Sequence, residues 1–231
     1  MTSFAKIALA AALVASVGAA SAAPTVFSSV GGAPTGVNKW NLDSLTLPTG
    51  TGLSSIVVTP NAAYVTGAKA NEYAAPVLSG VNGVGFGENG GVQAIGTDMT
   101  QYLTTGSTLA AAAANVTINF SEVQFYFGLL WGSVDTFNTI KFFNGNEFMG
   151  SVVGSQVDAT ATGDQGAQGT YYVNIDAAEG FTRLEFTSTS YAFEFDNIAW
   201  SANRAVPEPG SLALLGLGLA GLGFARRRRA A

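Results

Sequence analysis

The sequence predicts an all-β protein, an antiparallel β-sandwich of jelly-roll type. Three observations predict it. From Asn115 onward, short apolar segments recur every ten to fifteen residues, separated by Gly, Asn, Asp and Ser. Within them apolar and polar residues alternate with period two, as in half-buried strands. And the chain contains no Cys, so the fold must be held by an apolar core.

Taken in order, "VTINF" is the first clear strand of this half and "EVQFYFGLLW" the second; there Val123, Phe125, Phe127, Leu129 and Trp131 fall on one face. In "TFNTIKFFNGNEFMGSVV", Asn144-Gly145 separates two β-prone runs and predicts a two-residue hairpin turn. "GTYYVNID", "FTRLEFTS" and "YAFEFDNIAW" complete the series, with Leu184 and Phe186 alternating against Arg183 and Glu185. The earlier half is looser. "KWNLDSLTL" and "LSSIVVTP" read as strands, "GVNGVGFGENGGV" as a glycine-rich loop, and "TLAAAAANV" as either a short helix or a linker. No period of 20–50 residues marks a repeat architecture.

The two ends differ from the body. Residues 1–22 follow the secretory pattern: Lys6 supplies the positive region, Ile7 to Val17 a short apolar region, and Ala20-Ser21-Ala22 a small-x-small cleavage signal. Cleavage is expected after Ala22, because a cut after Ala23 would place Pro24 next to the scissile bond. The ectodomain is then 23–205. Between Ala23 and Ala205 five basic residues stand against fourteen acidic ones. That acidic balance excludes nucleic acid as a partner.

Segment 206–231 has three parts. Pro207 and Pro209 hold Val206 and Glu208 extended. Gly210 to Ala225 is an uncharged apolar run; as a helix at about 1.5 Å per residue it nearly spans a bilayer, with Arg226 snorkelling to complete the reach. Arg226, Arg227, Arg228 and Arg229 form a cluster that stays cytoplasmic by the positive-inside rule. This order of parts resembles the PEP-CTERM sorting signal of Gram-negative bacteria. The resemblance implies recognition of Val206, Pro207, Glu208 and Pro209 by exosortase, a membrane-embedded cysteine transpeptidase that cuts the signal. It also implies entry by the Sec translocon, transient residence in the inner membrane, and delivery to the cell surface or extracellular matrix.

The body lacks the side chains of common nucleophilic catalysis. With neither His nor Cys there is no Ser-His-Asp triad, Cys-His pair or imidazole metal ligand. Glu194 and Asp196, two apart in a strand, share a face and are the candidate pair for glycoside hydrolysis; a solvated face or calcium ligation is the plainer reading. The G-x-G-x-x-G match at Gly85, Gly87 and Gly90 lacks the flanking strand and helix of a dinucleotide site and reads as a loop. Oxygen ligands suit Ca²⁺, and Asp158, Asp164 and Asp176 lie in or near one loop. Trp40 and Tyr126 are the candidate sugar-stacking rings, Tyr126 because it faces away from the Phe125/Phe127 row; Tyr171, Tyr172, Tyr191 and Trp200 are others.

"LDSL" and "FEFDNIAW" are similar to the first and last strands of jelly-roll carbohydrate-binding modules. That similarity implies two adjacent strands and a structural Ca²⁺ held by Asp196 and Asp43. The expected function is a non-catalytic exported surface or matrix protein with an adhesive, structural or carbohydrate-associated sandwich, exopolysaccharide being the expected partner. The alternatives are a lectin-like module, a carboxylate-dependent glycoside hydrolase, and a permanently anchored inner-membrane protein.

Overall fold

A computed structural model describes residues 25–29, 32–106 and 114–203. The expected signal peptide with Ala20 and Ala22, most of the Ala-rich stretch, and the segment holding Val206 to Pro209 and Arg226 to Arg229 lie outside the described residues. Among the described residues, no helix is long and apolar enough to cross a membrane.

The described chain is mostly antiparallel β-structure. In chain order the strands are β1 (Thr25–Ser29), β2 (Asn38–Trp40), β3 (Leu53–Val58), β4 (Ala62–Val65), β5 (Val77–Leu78), β6 (Gly96–Thr97), β7 (Tyr102–Thr105), β8 (Ala114–Gly132), β9 (Asn138–Asn144) and β10 (Glu147–Val153). One helical turn, α1 (Gly154–Val157), precedes β11 (Tyr171–Ser188) and β12 (Phe193–Ser201). The predicted pairs "VTINF"/"EVQFYFGLLW" and "GTYYVNID"/"FTRLEFTS" are thus each one long strand, β8 and β11.

These two strands organise everything else. The early half of β8 pairs with β3 and with the late half of β11, which also pairs with β9. The late half of β8 pairs with β12 and with the early half of β11, which also carries β1. Phe186 of β11 lies opposite Val116 of β8. A straight strand would put Val116 about 36 Å from Phe127, at roughly 3.3 Å per residue. Yet the Phe127 and Phe186 rings are 6.0 Å apart, so β8 and β11 fold back and lay one leaf over the other, sandwich-like. The bend lies where register slips between Asp176 and Arg183. Gly180 makes it: its φ is +76°, and a Cβ there would come 2.4 Å from Val123 Cγ1.

One leaf runs β10-β9-β11-β8-β3 and the other β4-β7-β12-β8-β11-β1, with β2 beside the end of β12. Between them lie Phe127, Leu129, Trp131, Phe142, Leu184, Phe186, Phe193, Phe195 and Trp200, all fully buried. Aromatic contacts cross the gap: Phe186 stacks on Phe195 at 4.3 Å and Phe120 meets Trp200 at 6.1 Å. The alternation read from "FTRLEFTS" is present. Leu184 and Phe186 are in the core, while Arg183 pairs with Glu185 and covers the Phe143 ring outside. The row predicted on "EVQFYFGLLW" divides: Phe127, Leu129 and Trp131 are core, and Val123 and Phe125 pack about Gly180 at the bend.

The hairpin after β9 is present with its turn one residue later than predicted. Asn144 pairs with Glu147, so Gly145 and Asn146 are the central residues, and only Gly145 has positive φ (+58°). Glycine alone at the first central position is the type II′ pattern.

The loose early half makes a further layer. The segments around residues 32–37 and 74–101 cover the outer face of the β12 leaf. Ala33, Leu78 and Phe86 pack there on Tyr126, Leu130, Tyr172 and Ala199. The pairing β2–β12 brings the predicted first strand beside the last, Trp40 opposite Ile198. "LDSL" itself is not strand: the chain turns away at Leu42, whose φ is +56°.

Candidate functional site

Strand β12 sorts its side chains by pleat. Phe193 and Phe195 enter the main core; Glu194 and Asp196 point to the opposite face, beneath the covering loops. Asn197, with φ +50°, sits in a register slip between Asp196 and Ala199. This bulge adds one residue, so Ile198 and Trp200 still reach the main core while Asn197 turns to the loop side, where it bonds Gln93.

Asp196 is 0% exposed and Asp98, on the covering loop, 1%. Asp98 Oδ1 accepts from the Thr100 amide (2.9 Å) and hydroxyl (2.6 Å). Asp98 Oδ2 and both oxygens of Asp196 have no hydrogen-bond partner, and neither have the buried carbonyl oxygens of Gln101 and Asn197. Burial raises the Asp196 pKa well above the usual carboxylate range, and the adjoining Asp98 and the charge of Asp43 raise it further. The Asn197 amide offsets this only in part, and buried acceptors so short of donors are relieved by a shared proton or a cation.

Asp43 reaches this cluster only by its field. Its Oδ2 accepts from Asn41 Nδ2 (2.6 Å) and its Oδ1 from the Gln101 amide (3.1 Å), in an exposed turn. Among the described residues, no three or more His, Cys, Asp and Glu side chains gather as a metal site. Two of the three loop acids are likewise occupied. Asp158 accepts from Thr160 and Tyr171, and Asp164 from the Gly166 amide; Asp176 lies on β11 opposite Thr25.

Glu194 has different neighbours from Asp196, so the two do not act as a pair. It is 2% exposed. Its Oε1 accepts from the Ala74 amide at 2.9 Å, and its Oε2 has no partner. Burial raises its pKa to about 8, and Asp135, itself raised to about 6 by burial, adds to the effect. Both line a cavity of about 140 Å³ with Tyr73, Ser133, Gln165 and Tyr191. A second cavity of about 220 Å³ lies beyond Glu72, Tyr73 and Tyr191 and has Asn61, Ala63 and Thr104 in its walls.

The two candidate sugar rings are corrected by burial. Trp40 is 9% exposed and belongs to the main core. Tyr126 does face away from the Phe125/Phe127 row, but the loop layer covers it to 4% exposure and its hydroxyl donates to Asn174 Oδ1 at 2.6 Å. Neither offers the open ring face that stacking on a sugar needs. Asp98, Asp135 and Tyr73 were not among the predicted site residues. Each is a polar residue in a loop, brought to β12 by contacts 60 to 120 positions away in sequence, and no local pattern announces that.

Residues 205–229 match the PEP-CTERM protein-sorting motif. The chain thus carries the address of an exported, exosortase-processed protein destined for the cell surface. Comparisons with curated proteins and with solved structures gave no match.

Proposed function

We propose that this PEP-CTERM protein is an exported surface or matrix component whose jelly-roll-like sandwich is non-catalytic and serves adhesive, structural or carbohydrate-associated work. The sorting motif at 205–229 carries the reading. The acidic body and its lack of His and Cys support it. On this reading the Sec translocon exports the chain, the Gly210–Ala225 span pauses in the inner membrane, exosortase cuts near Val206 to Pro209, and exopolysaccharide is the setting in which the body works. A structural Ca²⁺ fits the acids beneath the loop layer. Asp196 and Asp98 would hold it, with carbonyl oxygens such as those of Gln101 and Asn197, since calcium accepts carboxylate and amide oxygens together. The ion would neutralise the buried carboxylates and fasten the loop layer to β12.

Deleting exosortase in the native host and fractionating the cells tests delivery. The expected result is retention in the inner membrane at a larger intact mass. An unchanged mass and location overturns the reading, and favours a permanently anchored protein if the mature form still contains the arginines.

A further inference from the structure

We propose that the cavity bounded by Tyr73, Asp135, Tyr191 and Glu194 binds a primary ammonium group carried on a polyol, that is, an amino sugar. This deepens the carbohydrate side of the reading above and is independent of the delivery side.

The charge balance comes first. Glu72, Asp135 and Glu194 all line the cavity, and no cationic side chain does. The nearby Lys69 is held by Glu72 at 2.5 Å and is itself exposed. Glu194 is the deepest of the acids. Its Oε1 is satisfied by Ala74, while Oε2, at 2% residue exposure, makes no hydrogen bond of good geometry, the Ser133 hydroxyl giving the carboxyl only weak support. Burial keeps a proton on Glu194; an ammonium occupant would take that proton's place, and a charged donor makes the stronger bond.

Size and wall chemistry then select the occupant. A bound water needs roughly 10–15 Å³, so about 140 Å³ exceeds what one ion requires. Although Glu72, Asp135 and Glu194 all line the cavity, no three His, Cys, Asp or Glu side chains gather closely enough to hold a metal among the described residues. An ammonium group gains from the same walls: its charge would hold the acids ionised, and two tyrosines line the cavity beside them. Asn71, Ser133 and Gln165 add amide and hydroxyl groups suited to sugar hydroxyls. Beyond the two tyrosines, the cavity of about 220 Å³ has mainly neutral walls, giving room for a second, uncharged sugar unit.

Calorimetric titration of the full chain in detergent tests this, using glucosamine, N-acetylglucosamine, glucose, putrescine and calcium chloride as separate probes. Glucosamine is expected to bind at least tenfold tighter than N-acetylglucosamine, glucose or putrescine, and any calcium binding is expected to survive Glu194→Gln. Glu194→Gln and Asp135→Asn should each weaken glucosamine at least tenfold, while Asp176→Asn, on β11 at the far end of the leaf, leaves it unchanged. Circular dichroism checks the folding of each variant, and Asp135→Asn, at a partly exposed loop position, serves if Glu194→Gln does not fold. Equal binding of N-acetylglucosamine overturns the ammonium; equal binding of putrescine overturns the sugar; calcium binding that Glu194→Gln abolishes makes the cavity a metal site. Absence of glucosamine binding rejects the proposal and leaves the sorting route untouched.

Discussion

Replacing Glu194 with Gln should make the protein more stable, increasingly so as pH rises. The folded pKa of Glu194 is about 8 against an ordinary 4.5. A raised carboxylic acid means that the folded chain keeps a proton which the unfolded chain releases. Its contribution is therefore neutral below pH 4.5, grows unfavourable as pH rises from 4.5 to 8, and then levels off. At about 1.36 kcal/mol per pH unit the full window is worth roughly 5 kcal/mol. Glutamine preserves the acceptor for the Ala74 amide and cannot ionise. The variant should match the native chain near pH 4 and exceed it by several kcal/mol at pH 8. Urea unfolding at pH 4, 6 and 8, followed by the fluorescence of buried Trp131 and Trp200, measures the difference. Parallel stability curves for the two proteins across this range would refute the argument, because they would mean that Glu194 titrates alike folded and unfolded. A stable Glu194→Gln chain also makes its loss of glucosamine binding a statement about the site.

Calcium should raise the melting temperature of the native chain and EGTA should lower it, while Asp196→Asn should melt alike in both; a native chain indifferent to EGTA removes the ion from Asp98 and Asp196. Gly128→Ala should cost about 1–3 kcal/mol by overpacking, since its Cβ would lie 2.3 Å from Tyr126 Oη and 2.8 Å from Tyr172 Oη. Adding Tyr126→Phe to that variant should recover part of the loss, and thermal melts that leave Gly128→Ala at the native value exclude the clash.

The strands of the second half were legible because a period-two pattern is a local property. Leu184, Phe186, Phe193 and Phe195 announce their face from their neighbours alone. Two strand boundaries were misread because a bend looks locally like a turn: "NFSEVQ" and "DAAEGF" interrupt the apolar pattern, yet each strand runs on through the bend with only a slip of register. Burial of Trp40 and Tyr126 was not legible either. Alternation tells which way Tyr126 points, but only the docking of Ala33, Leu78 and Phe86 decides whether that side meets water. The same holds for the site. Asp196 could be singled out from its strand; Asp98 could not, because its role comes from a loop crossing over β12 and from no feature of "GTDMT".

The strand register sets the two ends of the body apart from the cavity at Glu194. Thr25 lies beside Asp176, Asp176 beside Tyr126, and Tyr126 beside Ser201, so the entry to β1 and the exit toward the sorting motif occupy one pole of the leaf. Glu194 lies beside Gly132, six residues further along β8, or roughly 20 Å at about 3.3 Å per residue. Whatever grips the chain after Ser201 therefore holds it by its foot, and the tyrosine-walled hollow lies at the opposite crown.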